Sequence, residues 1–348
     1  MIGTNVDVLV IGAGPAGLRA AEILARAGRG VLVLEKNEEI GPKVCAGGLT
    51  PKAHRLVGEL GLPADEGLLS PGWAEFTRGE PFLVDGRHGM IRTVPRRVLG
   101  LHQAERARRA GATIRTGTAA AHIDLAARTV EAGGERIAFR VLIGADGSES
   151  RVRRALGLAA TRDYFACEYN VPGVRLEPLK VVCEPGELAA GYWWVFPHEH
   201  YTSIGCGAPR NQVAPGRLRA ILDERMRRLG FPPDAAPFEG ATIEVCHLGT
   251  RFARDVYLVG DAAGLASDLT VEGIYPALVS GEAVARQVLD PSHRSPALER
   301  WLRVKAQHAR LSRMLRSRTV RKLMLPLFAS AARLPGARRR LADFYLRG

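Results

Sequence analysis

Three glycines near the amino terminus have the spacing of a phosphate-binding turn. Gly12, Gly14 and Gly17 form GxGxxG between an apolar run and a helical pattern. The first permits a tight turn, the second lets the backbone approach a pyrophosphate, and the third lets the helix pack closely on the strand. A second apolar run, 31–34, ends in Glu35, about 20 residues further on, where an acid that accepts a ribose hydroxyl is expected. GxGxxG alone also occurs in plain strand-to-helix turns, but this context predicts a dinucleotide site.

Aromatic side chains alternate along one stretch of the second half of the chain. Tyr192, Trp194 and Phe196 have period 2, so in a strand they share one face. That face is either an ordinary packed core or the wall of an apolar slot, and periodicity alone does not choose between them. His198 and His200 also share a face, but no third cluster of metal ligands accompanies them. We therefore expect a solvated turn there and no metal site.

The elements that must position these residues are of two kinds. Apolar runs end in glycine-rich turns at 139–147 (GADG) and 256–264 (GDAAG), and a charged helix begins at Pro95. Short aromatic and β-branched segments bounded by turns fill much of the rest. We predict an α/β protein with a discontinuous Rossmann-like domain, a mixed β-sheet substrate domain and a carboxyl-terminal helical segment. The predicted boundaries are 1–70, 95–160 and 255–290 for the first, 71–94 and 161–254 for the second, and 291–348 for the third.

Composition places the chain among globular proteins. Its 348 residues are 46% apolar, which is enough for two domains with separate cores. Five cysteines without CxxC spacing indicate neither a disulfide framework nor a zinc ribbon. The first strand begins by about residue 6, which leaves no room for a leader, and no apolar run reaches about 18 residues. We expect a cytoplasmic chain without a spanning helix.

Together, the glycine turn with Glu35, the GADG turn and the GDAAG turn resemble the p-hydroxybenzoate hydroxylase-like flavoprotein superfamily. That resemblance covers most of the chain and implies FAD, bound in extended conformation by a GR2-type domain. It implies that Asp261 meets the ribityl and pyrophosphate region, and that Arg96, in RxxLG, contacts FAD. Asp146 has two other interpretations, as a catalytic residue or, as is more usual in GADG turns, as a cap of its strand-to-helix turn. The residues implied to bind FAD are Gly12, Gly14, Pro15, Ala16, Gly17, Glu35, Lys36, Arg96, Asp146, Asp261, Gly273 and Ile274.

Further motifs resemble the geranylgeranyl reductase family. The segment 45–49, CAGGL, resembles the family's CxGG loop, and 192–207 matches YxWxFPx7GxG. The segment 268–274 resembles the stretch that follows GDAAG in the family, although Val271 stands where glycine is usual. This resemblance implies an FAD-dependent reductase that saturates isoprenoid C=C bonds of a prenyl lipid, quinone or related compound. It implies a catalytic loop of Cys45, Gly47 and Gly48 and a substrate slot of Tyr192, Trp194 and Phe196.

The chemistry of an isoprenoid double bond requires a proton donor. No carbonyl stabilises a developing anion, so hydride delivery to one carbon must be matched by proton delivery to the other, in a dry cavity. Cys45 is the candidate, because its glycine-flanked loop can approach the flavin and an apolar setting keeps a thiol protonated. A small buried hydrophobe is the alternative. The electron donor, NAD(P)H or a reduced carrier, and the oligomeric state stay open.

Two other functions compete with the reductase. Lys43 suggests the catalytic lysine of flavin halogenases, whose WxWxIP motif resembles the YxWxFP here. Tyr192 and Phe196 favour the reductase, which leaves a flavin-dependent monooxygenase or halogenase on a smaller aromatic substrate as the runner-up. A non-enzymatic lipid or nucleic-acid binder that retains FAD is third.

Positive charge is concentrated in the last part of the chain. The net charge is +13, and the stretch from Arg300 to Arg347 interleaves basic and apolar residues with few acids. Anionic lipid headgroups, a solvated helical face and nucleic acid all fit that pattern. We rank lipid first, since a prenyl substrate would come from a membrane, and expect a peripheral membrane helix and no nucleic acid. Pro326 is expected to prevent one long continuous helix from spanning a bilayer. The basic residues named for this surface are Arg313, Arg316, Arg318, Arg321, Lys322, Arg338, Arg339 and Arg340.

Overall fold

The computed structural model describes residues 3–76, 82–83, 90–159, 163–252, 255–332, 334, 336–337 and 340. Val84 of a predicted strand, and Arg338 and Arg339 of the basic tail, lie outside the described residues, as does 341–348.

The described residues form eighteen strands and eight α-helices. The strands are β1 (Thr4–Ile11), β2 (Val31–Leu34), β3 (Gly48–Leu49), β4 (Leu68–Pro71), β5 (Trp73–Phe76), β6 (Phe82–Leu83), β7 (Met90–Thr93), β8 (Thr113–Arg115), β9 (Ala120–Asp124), β10 (Thr129–Ala132), β11 (Glu135–Gly144), β12 (Asp163–Pro172), β13 (Lys180–Cys183), β14 (Tyr192–Pro197), β15 (Tyr201–Pro209), β16 (Phe238–Glu244), β17 (Arg251–Phe252) and β18 (Val256–Leu258). The helices are α1 (Pro15–Arg26), α2 (Pro51–Glu59), α3 (Arg96–Arg109), α4 (Arg151–Ala155), α5 (Pro215–Arg228), α6 (Ile274–Leu289), α7 (Pro296–Arg316) and α8 (Arg318–Ala332), with a 3₁₀ turn at Gly260–Ala263.

The first sheet has a parallel centre in the order β18-β11-β1-β2-β8. Its middle strand is apolar on both faces: Val8, Leu9 and Val10 are fully buried, as expected for a parallel sheet covered by helices on both sides. Because neighbouring strands run in the same direction, the turns after β1, β2, β11 and β18 meet at one carboxyl edge. The predicted dinucleotide motifs are those turns, at the edge where such sheets bind ligands.

The second sheet has the order β16-β12-β15-β14-β13-β5-β6. Period 2 divides the strand side chains between its faces. Trp193 and Val195 pack with α5 residues in one apolar cluster, while Trp194 and Phe196 pack on the opposite side with Ala46 of the cysteine loop. This face is therefore turned toward the loop that carries Cys45.

A third, three-stranded sheet was not anticipated. β7 pairs antiparallel with β3 and β4, so 90–93 lies outside the seven-stranded sheet, and Gly48–Leu49, predicted within a loop, forms a short strand. Thr93 Oγ1 donates a hydrogen bond to the Pro197 carbonyl oxygen at 2.6 Å, which joins this third sheet to the end of β14 in the second sheet. Residues 90–93 therefore pair outside the seven-stranded sheet, and the division into domains stays a prediction.

The two carboxyl-terminal helices differ in burial. α7 packs on the first sheet through Trp301, which is 1% exposed. Its Lys305 is also buried, with Nζ 2.7 Å from Asp268 Oδ2. α8 leaves Leu323 and Leu327 exposed. α8 continues through Pro326, and the helical tail is instead divided into α7 and α8 at Ser317, which is extended. A proline removes one backbone hydrogen bond from a helix interior, a cost that a kinked helix can tolerate. Among the described residues, no helix is long and apolar enough to cross a membrane.

Candidate active site

The glycine turn after β1 has the geometry that its spacing predicts. Gly12 has φ of +105°, and a Cβ there would lie 2.3 Å from the Ala145 carbonyl oxygen. A Cβ on Gly17 would lie 2.1 Å from the Gly12 carbonyl oxygen, so larger residues would displace backbone. Gly14 differs, because no described atom lies within 4 Å of its Cβ position. That open side, with Pro15 beginning α1, is where a phosphate can approach the helix amino terminus.

Glu35 is attached to the same turn. Its Oε2 accepts the Ala13 backbone N–H at 2.8 Å and its Oε1 accepts the Asn37 N–H at 3.0 Å. The carboxylate therefore joins the end of β2 to the glycine turn, where a ribose hydroxyl can still reach its remaining lone pairs. Lys36, its neighbour, is exposed.

Asp146 makes the contacts of a helix cap. Its carboxylate accepts hydrogen bonds from the Ser150 hydroxyl at 2.5 Å and from the Arg151 backbone N–H at 2.6 Å. These contacts support the capping interpretation, since Asp146 satisfies a backbone donor in the first turn of α4, whose N-cap residue is Ser150. Burial raises the pKa of Asp146.

The GDAAG turn and the start of α6 lie together. Asp261 Oδ2 is 2.8 Å from Lys43 Nζ, and a Cβ on Gly273 would lie 3.3 Å from Asp261 Oδ1. Ile274 begins α6 directly after this contact. α6 packs closely on α1, where a Cβ on Gly281 would lie 2.3 Å from the Ala16 carbonyl oxygen.

The donor set fits FAD. Arg96 stands at the first position of α3, and its buried Nε has no hydrogen-bond partner among the described residues. A buried guanidinium nitrogen without a partner is costly unless a further acceptor occupies the site. A ribose acceptor at Glu35, the open approach at Gly14 and this unused donor match the sugars and phosphates of a dinucleotide.

The Cys45 loop is held from the second sheet. The Cys45 backbone N–H donates to Glu168 Oε1 at 2.8 Å, the Gly47 carbonyl accepts the Val94 N–H at 2.9 Å, and Cys45 Sγ accepts the Gly47 N–H at 3.4 Å. A Cβ on Gly48 would lie 2.3 Å from the Phe196 ring. Gly48 is therefore required for the loop to approach the aromatic face.

His198 corrects one expectation. A solvated turn was predicted after β14, and His200 fits it, but His198 is 1% exposed and stacks on Tyr201 with ring centroids 4.1 Å apart. His198 Nε2 lies 3.0 Å from the Ala46 carbonyl oxygen. A Cβ on Gly47 would lie 2.7 Å from the imidazole, and burial lowers the pKa of His198 to about 4. The imidazole is therefore neutral near pH 7 and donates to the cysteine loop.

The aromatic face adjoins the same loop. The Trp194 ring lies over its strand partner Gly205, where a Cβ would be 2.2 Å from the ring, which gives a reason for that glycine in the motif. Trp194 Nε1 donates to Ser203 Oγ at 2.9 Å. The Tyr192 hydroxyl donates to the Thr270 carbonyl at 2.7 Å and so attaches the strand to the 268–274 segment.

The 268–274 segment is anchored from several sides. Val271 has φ of +55°, a conformation that favours glycine and is unusual for a β-branched residue. The buried Glu272 accepts a 2.6 Å hydrogen bond from the Thr50 hydroxyl and lies 3.0 Å from Lys52 Nζ. Desolvation raises the pKa of Glu272. The segment is thereby attached to the helix that follows the cysteine loop.

The structure thus places the Cys45 loop against the aromatic face, and it brings the turns that carry Gly12, Glu35, Asp146 and Asp261 to one sheet edge. Sequence reasoning missed Glu168 and the role of His198. Glu168 had a signal, because it is the one acid inside the apolar and aromatic stretch 164–169. His198 had none, since its neighbours Glu199 and His200 are exposed polar residues.

Comparison with known proteins agrees with this geometry. Residues 5–267 match the FAD binding domain family. The chain is 32% identical over 302 residues to digeranylgeranylglycerophospholipid reductase 1 of Methanopyrus kandleri, covering 79% of this chain and 78% of that protein. It is 31% identical over 322 residues to menaquinone reductase of Mycobacterium tuberculosis, covering 83% and 78%.

A solved structure shows the same fold. A geranylgeranyl bacteriochlorophyll reductase-like protein of Thermoplasma acidophilum superposes with a TM-score of 0.77 at 22% identity, covering 98% of this chain and 99% of that one. The matched domain, the two relatives and the motifs now found at one site lead to one assignment: this chain belongs to the geranylgeranyl reductase family of FAD-dependent oxidoreductases.

Proposed function

We propose that this protein saturates isoprenoid C=C bonds of a prenyl lipid or prenylated quinone at the face formed by Tyr192, Trp194 and Phe196. The observation that carries the proposal is the placement of the Cys45 loop against that face. Ala46 packs with Trp194 and Phe196, and a Cβ on Gly48 would lie 2.3 Å from the Phe196 ring. The names of the relatives, which include a phospholipid reductase and a menaquinone reductase, support this class of substrate.

The proposed roles of the residues follow from their chemistry. Bound FAD supplies the hydride equivalent that adds to one carbon of the double bond. Cys45 holds the proton that the other carbon requires, and Gly47 and Gly48 let its loop approach the site. Trp194 and Phe196 exclude water, because both are nearly buried in an apolar cluster.

We further propose that the cofactor residues hold FAD along the carboxyl edge of the first sheet. Gly12, Gly14, Pro15, Ala16 and Gly17 form the pyrophosphate turn. The residues assigned to the rest of the cofactor are Glu35, Lys36, Arg96, Asp146, Asp261, Gly273 and Ile274. Asp146 acts there through the turn that it caps, because its carboxylate is committed to α4.

Membrane contact is assigned to α8 rather than to the whole tail. One face of α7 is buried in the core. In α8, by contrast, Lys322, Leu323 and Leu327 are exposed, and the two leucines are 65% and 64% exposed. Residues four apart lie on one helix face, so a basic and apolar surface is available to an anionic bilayer. The substrate would then be taken from that bilayer.

The experiment that tests the proposed function is a single turnover without oxygen. The purified holoenzyme is reduced with dithionite and mixed with a digeranylgeranyl phospholipid or with menaquinone in detergent. We expect flavin reoxidation together with a product whose prenyl chain carries two additional hydrogen atoms per reduced bond, found by mass spectrometry. The menaquinone product is first reoxidised in air, because reduction of the quinone ring also adds two hydrogen atoms. Turnover that requires oxygen and gives a hydroxylated or halogenated aromatic product would contradict the proposal.

A further inference from the structure

A buried carboxylate stands directly behind the cysteine loop. Glu168 of β12 is 1% exposed, and no lysine or arginine among the described residues forms an ion pair with it. Its oxygens have two neutral donors instead, the Cys45 backbone N–H at 2.8 Å and the Ser203 hydroxyl at 2.9 Å. A carboxyl group buried without a cation costs free energy, and a hydrophobic side chain would fill this sheet position at lower cost.

The contacts of Ser203 orient this carboxyl group. Ser203 Oγ accepts the indole N–H of Trp194 at 2.9 Å, so its own proton is directed to Glu168 Oε2. A continuous chain of hydrogen bonds therefore runs from the indole of Trp194 through Ser203 and Glu168 to the Cys45 peptide. This chain connects the aromatic face to the cysteine loop through the sheet.

The next peptide is held by a second group from the same sheet. His198 contacts the Ala46 carbonyl oxygen, and Val94 donates to the Gly47 carbonyl. With these peptides held, the thiol of Cys45 keeps little freedom beyond rotation about its Cα–Cβ bond.

We propose that Glu168 is a positioning residue that sets the location of the Cys45 thiol by holding the Cys45 peptide N–H, with His198 holding the adjacent peptide. The inference rests on the proposed role of Cys45 in proton delivery. The carboxyl group of Glu168 accepts from the Cys45 backbone rather than from its thiol, and so acts through the loop. The role requires an acceptor oxygen on a side chain long enough to reach the Cys45 N–H. It does not require the negative charge of Glu168.

Two conservative variants distinguish the effect of the length of the Glu168 side chain from the effect of its charge. Glu168→Gln keeps the length and the acceptor for Cys45, while Ser203 Oγ can accept the new amide N–H. Glu168→Asp keeps the carboxyl group but is one methylene too short to reach the loop. We expect Glu168→Gln to stay close to the unsubstituted enzyme, and Glu168→Asp to lose roughly 10- to 100-fold in kcat with little change in KM, as for a misplaced reacting group.

A second readout does not depend on turnover. The rate of Cys45 alkylation by iodoacetamide is measured in the oxidised holoenzyme by peptide mass analysis, with Cys246, also half-buried, as an internal reference. Glu168→Asp and Glu168→Ala release the loop and should accelerate Cys45 labelling severalfold, whereas Glu168→Gln should not. The controls are Glu239→Gln and Glu239→Asp, since Glu239 lies directly opposite Glu168 on β16 but is exposed.

The outcomes distinguish the two proposals. Equal kcat and equal Cys45 labelling in Glu168→Gln and Glu168→Asp would overturn the positioning role. If the unsubstituted enzyme reduces no isoprenoid, the proposed function fails, but the labelling comparison still tests the position of the thiol. If Glu168→Ala does not fold, the Gln and Asp variants carry the comparison, with flavin absorbance and melting temperature establishing that both are intact.

Discussion

Lys43 Nζ lies 2.8 Å from Asp261 Oδ2, so an ion pair joins the loop that carries Cys45 to the turn that follows β18. Lys43 is 44% exposed, so this pair contributes little to the free energy of unfolding. Its consequence is positional. The loop is attached to the first sheet through Asp261 and to the second through Glu168, with Cys45 between the two.

Replacing the thiol should separate cofactor binding from chemistry. The Cys45→Ala variant keeps the backbone contact to Glu168, which does not involve sulfur, so we expect full FAD content. Loss of a positioned proton donor should slow isoprenoid reduction by roughly 100-fold or more. The measurement is anaerobic stopped-flow oxidation of the reduced flavin by the prenyl substrate, with Cys246→Ala as the control. An unchanged rate in Cys45→Ala would assign the proton to another group.

At Val271 the glycine variant should be more stable than the alanine variant, which is the reverse of what is expected at an ordinary helical valine. At φ of +55°, Val271→Ala removes packing on Tyr164 and Val245 and keeps the unfavourable conformation, whereas Val271→Gly relieves it. We expect the glycine variant to have a free energy of unfolding about 1 kcal/mol higher than the alanine variant. At Val279, inside α6, alanine should be the more stable by about 1 kcal/mol. Guanidinium chloride unfolding of the four FAD-loaded variants measures both differences, and the same order at both sites would show that Val271 is unstrained.

Acid should destabilise the protein partly through His198. Burial lowers its folded-state pKa from 6.5 to about 4, so the unfolded chain binds the proton more readily between these values. The stability from the neutral imidazole is present above pH 6.5 and is lost as the pH falls toward 4. From pH 7 to pH 5 this one group should cost about 2 kcal/mol.

The matched variant isolates that contribution. His198→Gln can keep a donor to the Ala46 carbonyl but does not titrate, so its free energy of unfolding should fall less between pH 7 and pH 5. His200→Gln, at a residue 85% exposed, should behave like the unsubstituted protein. Urea unfolding at the two pH values measures the difference. Identical pH dependence in all three proteins would mean that His198 titrates normally in the folded state.

Replacing the exposed leucines of α8 should weaken vesicle binding without affecting the core. Because Leu323 and Leu327 are mostly exposed, the double change to glutamine should leave the melting temperature unchanged. Its binding to phosphatidylglycerol vesicles should fall roughly 30-fold, since two apolar side chains contribute on the order of 1 kcal/mol each at an interface and each 1.4 kcal/mol is tenfold in affinity. Binding of the unsubstituted protein should weaken as salt rises.

The control for α8 is Leu69→Gln, which changes a leucine 50% exposed elsewhere on the molecule. Sedimentation with anionic and with neutral vesicles, at low and high salt, compares the three proteins. Equal sedimentation of the α8 double variant and the Leu69 variant would exclude α8 as the contact surface.

The amino-acid sequence by itself determined the local elements and the cofactor class. GxGxxG, Glu35 and the two later turns are local signals, because each requires only a particular backbone conformation at the end of an apolar strand. Glycine meets that requirement because it has no Cβ, and an acid at the end of a strand meets it through its own carboxylate. The charged helix predicted to begin at Pro95 accordingly begins at Arg96.

Only the tertiary structure decided what surrounds the thiol. Glu168 is 123 residues from Cys45 in the chain, and His198 is 152 residues from Ala46, so these contacts depend on how the second sheet lies against the loop. The pairing of β7 with β3 and β4, and the burial of α7 beside the exposed α8, are likewise long-range outcomes. Composition and periodicity indicate which side chains can be buried. Which residues a buried side chain contacts is decided by packing between distant segments.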